Sequence, residues 1–210
     1  MASVTVVAAG VFIAAAGGFY LLSRNPWPGL LAVPVLAVLL GYSYTKRFTS
    51  LSHVVLGLAL GLSPVGVWIA LRGQLDWAPV TLGAAVVLWT AGFDILYSLQ
   101  DLDHDREVGL RSIPAWLGAA RAIMVSRGLH LMAITLLAAP WVLSRWDVVE
   151  LGLRRPLGWW YAAGLACMTL LLVYEQTIVR PNDLSRLDRA FFTVNATGSV
   201  VLAVLGIADV

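Results

Sequence analysis

Charge is scarce in this chain: only 12% of its 210 residues are Asp, Glu, Lys or Arg, against about 25% in ordinary soluble domains. Too few ionised side chains remain to clothe a water-exposed surface. With 60% hydrophobic residues and a mean hydropathy of +0.83, the chain reads as an integral membrane protein. Cysteine is nearly missing as well. Cys167, the single one, lies in an apolar run and is expected to be a small buried thiol; one cysteine cannot form an internal disulfide. The formal net charge is only +2, and no basic run or aromatic-interleaved patch occurs, which excludes a nucleic-acid surface. The three histidines, His53, His104 and His130, are scattered without metal-ligand spacing. A Ser/His/Asp set, a C-x-x-C pair and a Gly-rich phosphate loop are all absent.

What is present is long apolar runs. A bilayer core needs about 20 apolar residues per helix, and breaking the chain at its charged and Pro/Gly clusters yields seven spans, roughly 2–22, 29–45, 52–72, 77–100, 113–143, 157–179 and 189–207. The first lacks a basic leader and a cleavage site, so residues 1–22 read as a helix and not as a removed signal peptide. The fifth is too long for one crossing, so residues 113–121 are expected to form a loop or short cap. Loops are short, which implies an all-α polytopic bundle without a soluble domain. Lys and Arg favour cytoplasmic loops. One side collects Lys46, Arg47, Arg106, Arg111, Arg121, Arg127, Arg180, Arg186 and Arg189, and the other Arg24, Arg72, Arg145, Arg154 and Arg155. This bias places the first side in the cytoplasm, under the inner membrane. Trp27, Trp77, Trp141, Trp146, Trp159 and Trp160 cluster towards the opposite side, as an interfacial belt does.

The acidic stretch 94–112, D-I-L-Y-S-L-Q-D-L-D-H-D-R-E-V-G-L-R-S, breaks this pattern. Taken as one α-helix at about 100° per residue, it brings Asp94, Tyr97, Asp101 and Asp105 within about 80° of one another and turns Asp103 away. Stacked like charges repel, and carboxylates beside hydrocarbon are costly, so a cation is expected among them, most simply Mg²⁺. Asp101 and Asp105 can each give it an oxygen while its other positions keep water and phosphate. The competing reading is a solvated loop helix balanced by Arg106 and Arg111. Against it stands Asp94, which lies inside an apolar run, where an ionisable group points to function.

Tyr42 and Lys46, in G-Y-S-Y-T-K-R, are four apart and are expected to project from one helix face into the same layer, with Lys46 able to neutralise a diphosphate. The alternative is that Lys46 and Arg47 only mark the end of a span. Arg111 and Ser112 follow the Gly109 break and can close over the same anion. Glu175, in L-V-Y-E-Q-T, is expected to reach the interface towards Arg180. Asn195, in F-F-T-V-N-A-T-G, fits a helix–helix hydrogen bond more readily than a ligand contact.

Four stretches, G-Y-S-Y-T-K-R-F-T, L-S-H-V-V-L-G-L-A-L-G-L-S-P, D-I-L-Y-S-L-Q-D-L-D-H-D-R-E-V-G-L-R-S-I-P and F-F-T-V-N, together resemble the UbiA superfamily of intramembrane aromatic prenyltransferases, in its 4-hydroxybenzoate polyprenyltransferase branch. The resemblance implies nine transmembrane helices and two Asp-rich motifs that bind Mg²⁺ and an isoprenyl diphosphate. It further implies transfer of the prenyl group to a ring carbon ortho to the hydroxyl of an aromatic acid, in quinone biosynthesis. On matching positions, Asp101 and Asp105 look like metal ligands and Tyr42 and Lys46 like diphosphate contacts. Arg111 matches a basic position after the motif, and Asp94 the residue beside the aromatic acceptor. The expected site is therefore Asp94, Lys46 and Tyr42 acting on substrate, Arg111, Tyr97 and Asn195 also contacting it, and Asp101 and Asp105 on the metal.

Family members carry an earlier N-D-x-x-D-x-x-x-D motif after their second helix, and these 210 residues contain none. The expectation is a single transmembrane domain, residues 1–210, with seven of nine helices and half of the metal site, inactive alone. A menaquinone-pathway enzyme acting on a dihydroxynaphthoate and a non-catalytic membrane remnant are the alternatives. A transporter would need the acids to line a path across the bilayer, whereas they gather at one face.

Overall fold

The computed structural model describes residues 2–209, with side chains from Thr5 onward. In hydrocarbon every backbone N–H and C=O must be satisfied within the chain, which leaves helices as the solution for apolar runs of this length. The long ones are α1 (Ala2–Ser23), α2 (Trp27–Gly41), α3 (Ser52–Arg72), α4 (Trp77–Tyr97), α7 (Ala119–Leu143), α8 (Trp159–Ile178) and α9 (Asn195–Ala208). Among the described residues, seven helical segments are long and apolar enough to cross a membrane, as the hydropathy pattern predicts. Two short helices, α5 (Leu102–Glu107) and α6 (Ile113–Leu117), lie between α4 and α7. The over-long fifth span thus resolves into a cap and a crossing, divided at Gly118.

Helix α4 is the centre of the bundle. It packs on α3 on one side and on α7 on the other; α8 bridges α7 and α9, while α2 joins α1 to α3. One apolar cluster, including Ile95, Leu96, Leu99, Ile113, Ile123, Ile178 and Leu187, lies directly beneath the acidic face. A second, Ala85, Leu137, Met168 and Leu172, fills the middle of the bundle between α4, α7 and α8. Polar contacts also tie these helices together. Gln176 of α8 donates to Ser126 Oγ at 2.9 Å and to His130 Nδ1 at 3.0 Å, both on α7. That leaves His130 Nε2 to donate to the carbonyl of Trp89 on α4 at 3.3 Å.

Two expectations are corrected here. Cys167 is exposed, because the core-facing stripe of α8 runs through Gly164, Met168, Leu172, Glu175 and Ile178 and position 167 faces away from it. Glu175 falls on that stripe and is buried, one carboxyl oxygen having no partner among the described residues; it does not reach out to Arg180. On the opposite face of the bundle, the loop 144–158 is the longest connection. It is held by Leu157 N–H donating to Ser144 Oγ at 3.1 Å and by Arg72 donating to the Gly152 carbonyl at 2.9 Å.

Candidate active site

The acidic stretch does not continue as one α-helix. After Tyr97 the chain tightens into a 3₁₀ turn, Ser98–Asp101, before α5 begins, and Ser98 Oγ donates back to the Ile95 carbonyl at 2.9 Å. A 3₁₀ turn advances about 120° per residue and an α-helix about 100°, so four such residues rotate α5 by about 80° relative to an unbroken α-helix. The single stripe of Asp94, Tyr97, Asp101 and Asp105 is therefore broken. Asp94 and Tyr97 are half-buried on α4, Asp101 is exposed, and Asp105 turns inward and is almost wholly buried. Asp103 stays exposed.

Asp105 is buried because the neighbouring loop folds over it. At Gly109 the backbone takes φ of 72°, a left-handed turn that glycine adopts without strain, and the Leu110 N–H returns to the Asp105 carbonyl at 2.8 Å. Lys46 meets the carboxylate there, Nζ to Oδ2 at 3.3 Å. The Arg111 N–H donates to the Lys46 carbonyl at 2.7 Å, and its guanidinium to the Phe48 carbonyl at 2.8 Å. Two loops distant in sequence are thereby stitched into one layer. Around Asp105 opens a cleft of about 370 Å³ lined by Ser50, Arg106, Gly109, Arg111, Ser112 and Trp116, among others. Ser112, expected over an anion, is buried and caps α6 by accepting from the Ala115 N–H at 3.2 Å.

Tyr42 and Lys46 also sit on a 3₁₀ helix, Tyr42–Arg47. Four steps of about 120° leave them about 120° apart, not about 40° as in an α-helix. They share a turn but not a face; only Lys46 is joined to Asp105.

Sequence reasoning passed over His53. It lies in the first turn of α3, fully buried, and its Nδ1 is 2.6 Å from Asp94 Oδ2. Chain parity carried the signal: adjacent antiparallel spans bring the start of α3 and the end of α4 to the same membrane face.

Along the end of α4, from Tyr97 back past Asp94 to Trp89, runs an aromatic ladder. Trp89 and Phe93 meet edge-to-face with centroids 6.0 Å apart, Phe93 meets Phe191 at 5.3 Å, and Tyr97 stacks on Phe191 at 4.1 Å. Phe191 and Phe192 reach this position from a π-helical turn, Arg189–Val194. Such wide turns often occur at functional sites. Asn195 supports the turn: its amide donates to the carbonyls of Phe191 at 2.9 Å and Ala190 at 3.3 Å, while its Oδ1 accepts from Trp89 Nε1 at 2.9 Å. Its polar atoms thus have partners within the protein, as expected of a helix–helix bond. Asn195→Ala removes the partner of the part-buried Trp89 N–H and should lower stability by about 0.5–1.5 kcal/mol, read from unfolding in SDS/detergent mixtures. An unchanged midpoint would show that this bond contributes nothing.

Among the described residues no group of three or more His, Cys, Asp or Glu is gathered to enclose a metal. The carboxylates that could serve are Asp101, exposed, and Asp105, almost wholly buried and paired with Lys46. That set fits Mg²⁺, which typically takes one or two carboxylates and fills its remaining positions with water and phosphate.

Apolar helices long enough for a bilayer, with an acidic and basic layer at one end and an aromatic wall beside it, define a polytopic membrane protein. The UbiA prenyltransferase family model matches residues 1–197, and the chain belongs to that family. The 4-hydroxybenzoate octaprenyltransferase of Chromohalobacter salexigens is 34% identical over 174 residues, covering 83% of this chain and 54% of that protein. The protein of the same name from Xanthomonas euvesicatoria pv. vesicatoria is 33% identical over 180 residues, 85% of this chain and 55% of the relative. This chain spans about half the length of the curated relatives it matches. The apo structure of a UbiA homologue from Aeropyrum pernix K1 superimposes with a TM-score of 0.78 at 30% identity, over 97% of this chain and 70% of that one.

Proposed function

We propose that this chain binds an isoprenyl diphosphate at its acidic and basic face and presents the prenyl group to an aromatic acceptor of the 4-hydroxybenzoate kind, the reaction of quinone biosynthesis. The observation that carries the reading is the pairing of Lys46 with buried Asp105 in the layer that Arg111 stitches together, with Asp94 one helical turn from the end of α4. The nine-to-five division of Lys and Arg supports a cytoplasmic orientation for this face in the inner membrane.

In the transfer, the C–O bond of the prenyl diphosphate breaks with its electron pair on the diphosphate. The allylic carbon joins the ring carbon ortho to the hydroxyl, and that ring carbon then gives up its hydrogen as a proton to the departed diphosphate or water, restoring the aromatic ring. Asp101 and Asp105 would hold a Mg²⁺, which when bound neutralises charge on the leaving diphosphate. Lys46 and Arg111 supply fixed positive charge to the same oxygens, where charge grows most. The faces of Trp89, Phe93, Tyr97 and Phe191 offer negative quadrupole to an allylic cation and exclude water from it. Asp94 accepts the hydrogen bond of the acceptor hydroxyl and orients the ring.

Binding in detergent or nanodiscs tests this. Geranyl diphosphate should bind with Mg²⁺ and weakly without it, and 4-hydroxybenzoate should bind better than 1,4-dihydroxy-2-naphthoate. A preference for the naphthoate would move the acceptor to the menaquinone type, and no Mg²⁺-dependent binding of geranyl diphosphate would overturn the reading. Asp94→Asn should weaken 4-hydroxybenzoate binding about tenfold or more, the weight of one charge-assisted hydrogen bond, with geranyl diphosphate affinity kept within about twofold. Loss of geranyl diphosphate binding in that variant would instead put Asp94 in the diphosphate site.

A further inference from the structure

We propose that His53 is a positioning residue that orients the Asp94 carboxylate towards the acceptor hydroxyl, an inference that rests on the functional reading above. His53 is fully buried at the foot of α3 and has two polar neighbours. The backbone N–H of Ile113, the first residue of α6, donates to Nε2 at 3.4 Å. A nitrogen that accepts carries no proton, so the ring hydrogen sits on Nδ1 and donates to Asp94 Oδ2 at 2.6 Å. The hydrogen-bond pattern thereby assigns the tautomer.

This arrangement does three things to Asp94. It occupies one carboxylate oxygen with a short bond to an ionised acceptor, a strong class of hydrogen bond. It leaves Oδ1 without a hydrogen-bond partner among the described residues, on a side chain that is 23% exposed. It also removes the rotational freedom of the carboxyl group, because the imidazole is clamped from behind by a backbone donor. One oxygen is therefore held and the other presented. Groups fixed before the substrate arrives need no reorganisation when it binds.

The same imidazole joins the two halves of the site. Ile113 follows Ser112, which caps α6, and Arg111, whose N–H holds the Lys46 carbonyl. From the Lys46 and Asp105 pair to Asp94, the path is backbone, backbone N–H, imidazole and carboxylate, spanning α6, α3 and α4. A buried histidine serving only as filler needs neither the tautomer nor the short contact.

Two measurements test this. NMR of the wild type labelled with ¹⁵N-histidine should show His53 as the neutral Nδ1–H tautomer, with a far-downfield ring proton that is lost in Asp94→Ala. An Nε2–H tautomer would overturn the geometry without any ligand. In binding, His53→Ala should weaken 4-hydroxybenzoate about tenfold, which corresponds to about 1.4 kcal/mol, and geranyl diphosphate with Mg²⁺ by less than about twofold. His53→Asn, whose amide can donate near the Nδ1 position, should recover most of the loss, and His53→Ala should cost nothing further in an Asp94→Asn background. Unchanged acceptor binding in His53→Ala overturns the inference alone, as do additive losses, or parallel loss of both ligands with a lowered Tm. If the wild type binds no acceptor, the functional reading itself fails and takes this role of His53 with it.

Discussion

Asp105→Asn is expected to weaken Mg²⁺-dependent binding of geranyl diphosphate roughly 30- to 150-fold, the equivalent of about 2–3 kcal/mol. In the proposed site Asp101 and Asp105 would hold the metal, so removing the charge of one would take away half of those donors. Asparagine has the same shape and keeps an oxygen for Lys46 Nζ, now at 3.3 Å, so the loop over residue 105 should stay folded. Asp105→Ala is the harsher variant, because it leaves the Lys46 ammonium, only 29% exposed, without its partner. Asp103→Asn is the control: its side chain is exposed and outside the Lys46 layer, and binding should stay within about twofold. Calorimetric titration with and without Mg²⁺ reads both variants. Equal losses in the two would mean that residues 102–107 act as a diffuse acidic surface and that the burial of Asp105 is irrelevant.

A comparable effect on stability is expected from a single methyl group between α3 and α4. Gly57 and Gly61 stand one turn apart on α3 and let the two backbones meet, as small residues do at membrane helix crossings. A Cβ at Gly57 would collide with the Val87 carbonyl, and one at Gly61 would lie 2.6 Å from the Gly83 carbonyl oxygen. Neither obstacle is a side-chain tip that can swing aside. Gly57→Ala must push the helices apart, an overpacking cost of about 1–3 kcal/mol, lowering Tm by roughly 2–12 °C for a chain of this size. The same movement would open the contact between His53 and Asp94, which rides on the same helix pair, so acceptor binding should fall as well. Gly66→Ala is the matched control, since a Cβ there meets nothing within 4 Å. Identical melting curves for the two variants would show that α3 and α4 do not approach as closely as described.

Both predictions turn on contacts between segments far apart in sequence. Apolar runs and their breaks locate the spans to within a few residues, because in a bilayer the length of a helix follows from the thickness of the hydrocarbon and the cost of an unpaired amide. Even the short cap before α7 was legible in the excess length of the fifth run. The acidic stretch was legible as a site for the same reason: a carboxylate at Asp94 is out of place in such a run. Helix type was not. Tyr42 with Lys46, and Asp94 with Asp105, have α-helical spacing in the sequence, yet 3₁₀ turns intervene at both places. A change of about 20° per residue leaves no mark on hydropathy.

Composition and run length alone determined that the described residues form an all-α membrane bundle with seven spans and a polar layer at one face, because transfer free energies are summed residue by residue along the chain. Which polar groups meet was decided only by the tertiary structure. The sequence presents Asp101, Asp103 and Asp105 as equals, and the fold buries Asp105 against Lys46 while leaving the other two exposed. It presents His53 as one of three stray histidines, and the crossing of α3 over α4 sets it against Asp94. Hydrogen bonds and ion pairs act over about 3 Å and depend on direction, so they exist only once the helices have packed, and the packing is set by small residues such as Gly57 and Gly61 that carry no chemistry of their own.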